Sequence, residues 1–285
     1  MEETELERAE VPFHYELPQE AVSLILSEIY TTTGYNFQDY AMATIQRRLQ
    51  RRLITERMAN AAELIDRLQK FPQYAYKLVA DFSINVTAMF RDPQFFNYFR
   101  NEVIPELRKE SFIRVWVAGC ATGEEAYSLS ILLQEEGLYE RCRIYATDMN
   151  EGVIAQAKTG ALPLSKMQAY TRNYFASGGK EQFHSYFSSK DEQVYLHAKL
   201  LRNIVFSHHN LVDDRSFNEF HVIFCRNVLI YFNHRLQEHV HDLLYDSLGL
   251  GGFLALGSRE SLRFTKHASQ FINMSSLQKI YKRIN

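Results

Sequence analysis

Ile113-Arg114-Val115-Trp116-Val117-Ala118-Gly119-Cys120-Ala121-Thr122-Gly123-Glu124-Glu125 is the stretch on which the fold turns. Ile113 to Ala118 is apolar except for Arg114, which fits a short strand buried on both faces. Gly119 to Gly123 reads as a turn of small residues. From Glu124 to Glu136 the apolar members Tyr127, Leu129, Ile131, Leu132 and Leu133 mark a helix. The same texture recurs outward. Arg143 to Thr147 is a second strand ending in Asp148, and Glu151 to Lys158 is a helix. Further on, Phe220 to Cys225 is a strand, His234 to Leu248 a helix and Gly252 to Gly257 a strand. Strands alternating with helices imply an α/β fold with a parallel sheet and right-handed crossovers.

Residues 160–203 break the alternation. They carry Gly178-Gly179, many aromatics and the strand-like run Gln193 to His197, and they are too long for a simple crossover. They read as an inserted subdomain, the other reading being one helix with long loops. Upstream, Asp92-Pro93 opens a helix that runs to about Lys109, with proline at its first position. Residues 81–92 read as a linker. Residues 18–80 show only helical spacing, with Val22, Ile25, Leu26 and Ile29 first, a break from Thr31 to Gly34, a basic helix from Tyr40 to Met58 and a shorter one from Ala61 to Gln69. Residues 1–17, charged and holding Pro12, read as a flexible tail. The domain expectation is therefore a tail (1–17), a helical domain (18–80), a linker (81–92) and an α/β domain (93–285) with an insert at about 160–203.

Of the 285 residues, 46% are apolar, enough for a sizeable core, and the net charge of -2 gives no global reason to expect nucleic-acid binding. The three cysteines, Cys120, Cys142 and Cys225, have neither disulfide-framework nor zinc-site spacing. No apolar run approaches the ~20 residues of a membrane span, and the acidic start is the opposite of a signal peptide. The expectation is a cytoplasmic protein without membrane insertion. Among the ten histidines, His239 and His241 diverge on a helix and His208 and His209 diverge if extended, so no metal is expected.

In doubly wound sheets ligands sit beyond the carboxyl ends of the strands, and three such ends carry polar residues. The first is the Gly119–Gly123 turn, which matches neither GxGxxG nor the phosphate-cradling GxxxxGK[ST]. Glu124 and Glu125 would repel a phosphate and suit a cationic or hydroxyl-bearing ligand, or else complement the helix dipole. The second is Asp148, placed to accept from ribose hydroxyls or, alternatively, to cap the next helix. A ribose without a phosphate points to S-adenosylmethionine rather than a dinucleotide. The third is Cys225-Arg226-Asn227-Val228-Leu229-Ile230-Tyr231-Phe232 after the strand Phe220 to Cys225. Cys225 reads as a buried filler rather than a nucleophile.

The segments Asn85 to Asp92, Cys120 to Ser128, Ala146 to Asn150, His209 to Leu211 and Ile223 to Phe232, in this order and spacing across residues 20–285, resemble the CheR-type chemotaxis receptor methyltransferases. The resemblance implies a Rossmann-like class I methyltransferase domain, an all-helical N-terminal domain and a small inserted antiparallel β-subdomain. It implies S-adenosylmethionine as cofactor and S-adenosylhomocysteine as product. Cofactor contacts fall on Asn85, Thr87, Arg91, Glu125, Asp148, Asn210, Leu211, Arg226 and Asn227, which draws the 81–92 linker into the site. Active-site roles fall on Arg91 and Tyr231. Ala126 departs from the proline usual in the family.

The implied reaction forms glutamate methyl esters on the cytoplasmic helical domain of methyl-accepting chemotaxis receptors. Arg47, Arg48, Arg51 and Arg52 form two i,i+4 pairs on one helix, with Arg57 beyond them, and are candidates for docking an acidic receptor helix; a solvated face is the other reading. Two alternatives differ in kind: the same scaffold acting on another substrate, and a non-catalytic S-adenosylmethionine-binding signalling module.

Overall fold

The computed structural model describes residues 17–83 and 85–285. The expected tail, apart from Leu17, lies outside the described residues. The chain divides into two units between residues 83 and 84.

The first unit is helical: α1 (Gln19–Thr33), α2 (Met42–Thr55), α3 (Ala61–Lys70) and α4 (Ala75–Phe82). α1 stops where Gly34 takes φ 77° and returns its N–H to the Tyr30 carbonyl, which is the break read from the sequence. α2 is shorter at both ends than the expected Tyr40–Met58. It buries Ile45, Leu49 and Leu53, one stripe at i,i+4 spacing. Asn60 caps α3 by accepting from the Glu63 N–H at 3.2 Å. α4 runs to Phe82, so the first residues of the expected linker are helical. Asp81 there meets Arg52 through two bonds, Nε at 2.6 Å and Nη2 at 2.5 Å, while Arg52 Nη1 reaches Glu56 at 3.1 Å.

The second unit opens with α5 (Pro93–Tyr98), a π-turn (Phe99–Val103) and α6 (Ile104–Leu107). A seven-stranded sheet follows in the order β6-β2-β1-β7-β8-β10-β9. Its parallel part is β1 (Ile113–Ala118), β2 (Cys142–Asp148), β6 (Ile204–His208), β7 (Phe220–Cys225) and β8 (Leu248–Leu256). Helices α7 (Glu124–Glu135), α8 (Glu151–Thr159) and α11 (His234–Ser247) supply crossovers, with the short α10 (Ala198–Leu201) before β6. β1 lies at the centre of the parallel part and is buried along nearly its whole length, as its apolar run requires.

Two features depart from the sequence reading. β6 is an edge strand in which only Ile204 is buried; its apolar run is just Ile204 to Phe206, shorter than that of a strand buried on both faces. At the other edge β9 (Phe271–Ser275) and β10 (Ile280–Arg283) pair antiparallel, making the sheet mixed. The insert is a three-stranded antiparallel sheet, β3 (Ala161–Pro163), β5 (Gln193–Leu196) and β4 (Phe187–Lys190), with α9 (Met167–Ala176). It is fastened to α7 by Glu135, which accepts from the hydroxyls of Tyr174 and Tyr186. Glu135 and Glu136 both pair with the buried Arg100 at 2.7 Å. A half-broken buried network of this kind is costly, so its members specify one seating of the insert on its own domain.

His241, on α11, is buried and its Nδ1 has no hydrogen-bond partner among the described residues. Burial, and then the neighbouring His267, push it down to about 4, against Asp242, which raises it. The unfolded chain thus binds this proton first, near pH 6.5, and stability falls as pH drops from there toward 4. The expected loss between pH 6.5 and 4.5 is about 2 kcal/mol. Urea unfolding followed by Trp116 fluorescence reads it, and His241→Met should flatten the dependence. An unchanged slope in that variant assigns the acid sensitivity elsewhere.

Candidate active site

The carboxyl ends of β1, β2, β6 and β7 bring four loops of the second unit together. The organiser of the first pair is Asp148. Its Oδ2 accepts from the Ala121 N–H and its Oδ1 from the Asn150 N–H, each at 3.0 Å. The glycine turn is thereby tied to the end of β2. The cap of the next helix, the other reading of Asp148, is made instead by Asn150, whose side chain accepts from the N–H groups of Gly152 and Val153. Its backbone carbonyl accepts from the His209 N–H at 3.2 Å, which draws in the loop after β6. Burial pushes the Asp148 carboxyl above its ordinary range, and the N–H groups of Asn150, Ala121 and Met149 oppose that shift.

Arg226 organises the second pair. It is buried, its Nη1 reaches Glu125 Oε1 at 2.6 Å and its Nη2 reaches Asp92 Oδ2 at 2.8 Å. Its guanidinium lies 3.9 Å from the centroid of the Phe95 ring. One side chain therefore joins the loop after β7, the start of α7 and the segment that carries Arg91. Arg91 itself donates from Nη1 to the Val86 carbonyl at 3.1 Å. The same segment is anchored inward by the Phe90 N–H on Ser128 Oγ at 2.8 Å and by Asn173 Nδ2 on the Met89 carbonyl at 3.0 Å.

The remaining sequence candidates fall as follows. Asn85 and Thr87 are half-buried on the approach to Arg91. Asn210 and Leu211 are buried after β6. Asn210 is engaged locally through side chain and backbone alike: its Nδ2 donates to Asp213 at 2.8 Å, its Oδ1 accepts from Val212 at 3.1 Å, its N–H donates to Asp214 at 2.7 Å and its carbonyl accepts from the Asp214 N–H at 2.9 Å. Asn227 holds φ 60° in the loop that leads to Tyr231, which closes the 3-10 turn Leu229–Tyr231. Cys225 is fully buried, and burial followed by Glu260 and Glu125 pushes its thiol well above the usual range, which suits a filler and not a nucleophile. Arg47, Arg48, Arg51 and Arg52 belong to the other unit. There Arg47 and Arg51 are exposed, whereas Arg52 is held by Asp81 and Glu56.

Of the seven non-glycine residues with φ in the left-handed region among the described residues, four lie in these loops: Phe90, Asp92, Ala121 and Asn227. Such conformations persist where surrounding contacts over-determine them, and they gather at functional sites. Gly119 adds a close approach, since a Cβ there would fall 2.6 Å from Val228 Cγ2. Sequence reasoning missed Glu260, whose carboxylate accepts from the N–H groups of Asn227, Val228 and Leu229. Its signal was faint but present: a lone acid just past the end of β8, at the edge of the sheet where the other site residues cluster.

These residues fit S-adenosylmethionine. A buried carboxylate stands at the end of β2, where a ribose is received, and Glu124 and Glu125 open α7 where a phosphate binder would keep its helix end free of acids. Asp148 and Glu125 are the groups that would hold the cofactor's hydroxyls and cationic part.

The comparisons with known proteins agree. Residues 20–83 match the all-alpha domain of CheR methyltransferases, and residues 85–280 match their SAM binding domain. A putative methyltransferase, Cher3, of Pseudomonas putida is 39% identical over 262 residues, covering 92% of this chain and 96% of that one. An uncharacterized 104.1 kDa protein of Rhodobacter capsulatus is 31% identical over 86% of this chain, which spans only 26% of that protein. A chemotaxis protein methyltransferase of Borreliella burgdorferi is 25% identical, covering 88% of this chain and 91% of that one. With both of its units matched, the chain belongs to the CheR methyltransferase family and is an S-adenosylmethionine-dependent methyltransferase with a Rossmann-like catalytic domain and an all-helical partner domain.

Proposed function

We propose that this enzyme esterifies glutamate side chains on the cytoplasmic helical domain of chemotaxis receptors. The observation that carries the reading is the junction at Arg226, which ties the segment bearing Arg91 to the loop bearing Tyr231 beside an acid-lined cofactor edge. Relatives named chemotaxis protein methyltransferases support the substrate class. No helix among the described residues is long and apolar enough to cross a membrane. We assign the protein to the cytoplasm, where the receptor's methylated helices lie.

Bound S-adenosylmethionine supplies an electrophilic methyl carbon on a sulfonium. A glutamate, with a reference pKa of about 4.3, is already an anion near neutral pH, so the protein needs no general base. Its task is orientation: one carboxylate oxygen held, the other brought to ~3–3.5 Å of the methyl carbon, opposite sulfur. Tyr231 and Arg91 are the donors assigned to hold the first oxygen. Excluding water from that carboxylate raises its nucleophilicity without moving a proton.

Labelled methyl transfer to receptor-containing membranes tests the proposal. Alkali-labile label on the receptor is the expected result. Label on another acceptor would keep the methyltransferase and replace its substrate, and cofactor binding without turnover would point to a signalling module. The docking face has its own test. Arg47→Glu with Arg51→Glu reverses the two exposed arginines and leaves the Arg52–Asp81 pair intact. Receptor methylation should fall severalfold, and more at low salt than at high, with cofactor affinity unchanged. A normal rate in the double variant makes the face a solvated surface.

A further inference from the structure

Glu260 sits just past β8, its N–H on the Gly257 carbonyl at 2.9 Å, and is only 4% exposed. Its Oε1 accepts from the N–H groups of Val228 and Leu229, both at 2.8 Å. Its Oε2 accepts from the Asn227 N–H at 3.0 Å and from the Gly257 N–H. Three consecutive amides of one loop thus converge on one carboxylate, an anion-filled nest in which the anion is a side chain of the protein itself. Charge-assisted bonds of this kind are about twice as strong as neutral ones. The arrangement requires Gly257, where a Cβ would fall 2.7 Å from both the Asn227 nitrogen and Glu260 Oε2.

The amides held are not those of a neutral turn. Asn227 sits at φ 60°, Arg226 precedes it and Tyr231 follows two residues after Leu229. Without an anion beneath them, three successive N–H groups, of which that of Leu229 is buried, would have no reason to point the same way, and the left-handed turn at Asn227 would relax. We propose that Glu260 is the positioning residue of the active site: it presets the 226–231 loop before the cofactor arrives, and so aims Asn227 at the cofactor and Tyr231 at the target carboxylate. This rests on the reading of that loop given under Proposed function.

Glu260→Gln tests it. The amide keeps the shape but offers one oxygen and one NH2, so N–H groups on one side face a donor. Because one loop serves both ligands, affinity for S-adenosylhomocysteine and kcat should each fall at least tenfold, with KM for receptor within twofold. Leu243→Ala, on α11 away from the loop, serves as a destabilised control and should leave both quantities within twofold. A folded Glu260→Gln protein that matches the control would reduce Glu260 to a stability role. A second measurement needs no variant: in the cofactor-free wild type, the amides of residues 227–229 should exchange slowly with deuterium. Fast exchange that slows only on cofactor binding overturns presetting. If the wild type binds cofactor but labels no receptor, the substrate reading fails, while the affinity and exchange results still decide the role of Glu260.

Discussion

Asp148→Ala is expected to lower affinity for S-adenosylhomocysteine at least tenfold. The carboxylate is buried and accepts two backbone N–H bonds, from Ala121 and Asn150. Hydrogen bonds to a charged group are worth about 1.5–3 kcal/mol each, and a tenfold change in affinity is only about 1.4 kcal/mol. Two losses combine. The acceptor we assign to the ribose is lost, and Ala121, at φ 48°, loses the partner that holds the glycine turn in place. Asp148→Asn separates them: it keeps the volume but must turn an NH2 toward one of the two N–H donors, so it should also bind poorly. The wild type carries a pH signature of the same origin. Burial raises the Asp148 carboxyl above its ordinary range, so on acidification it takes up a proton earlier than a free aspartate would, and affinity should weaken over that window. Calorimetry across pH measures both effects. Unchanged affinity in a folded Asp148→Ala protein would remove this residue from the site.

The path from sequence to site was clear where chemistry and periodicity coincide in a few adjacent residues. β1 announces itself because a strand buried on both faces must be apolar throughout, and the small residues after it are what a close-packed turn requires. Asp148 was legible because it ends such a strand. β6 was not, because its apolar run ends after three residues, at Phe206, and the β9–β10 hairpin was hidden because an edge strand has no fixed apolar pattern, with Ile272 half exposed. Pairings at long range left no trace in spacing. Arg226 and Glu125 were each singled out, yet nothing in their separation of 101 positions says that they meet. Asp92 was read only as the residue before a helix-starting proline. Glu260 was hidden most deeply, because its partners are amides, and every residue but proline has one.

Tyr231→Phe should slow single-turnover methyl transfer by up to about a hundredfold while cofactor affinity stays within twofold. The backbone around Tyr231 is fixed without its hydroxyl. Glu260 holds the amides of Val228 and Leu229, and Gln237 Nε2 donates to the carbonyls of Leu229 and Phe232, both at 3.0 Å. Phenylalanine therefore keeps the ring in place and deletes one donor. If that donor orients the attacking carboxylate, its removal leaves the nucleophile bound but misaligned, and kcat and kcat/KM fall together. Saturating cofactor and receptor in a single-turnover experiment isolate the step from product release. A wild-type rate would make Tyr231 a wall of the pocket and pass the carboxylate to Arg91.

The strand order has a consequence for biosynthesis. β1 pairs with β2 on one side and, on the other, with β7, which follows it by more than a hundred residues. The proposed cofactor edge begins at Asp148 and is completed by Arg226, Asn227 and Glu260. At roughly 5–20 residues per second, the ribosome needs on the order of 5–20 s to add the stretch from Asp148 to Glu260. Until β7 is made β1 has one open edge, and until Glu260 is made the glycine turn faces an incomplete pocket. Ligand stabilises only a state that binds it. On that reading cellular S-adenosylmethionine gives the emerging chain no protection until β8 and the turn after it have cleared the exit tunnel, and until β7 arrives quality control of this enzyme falls to whatever shields the open, apolar edge of β1.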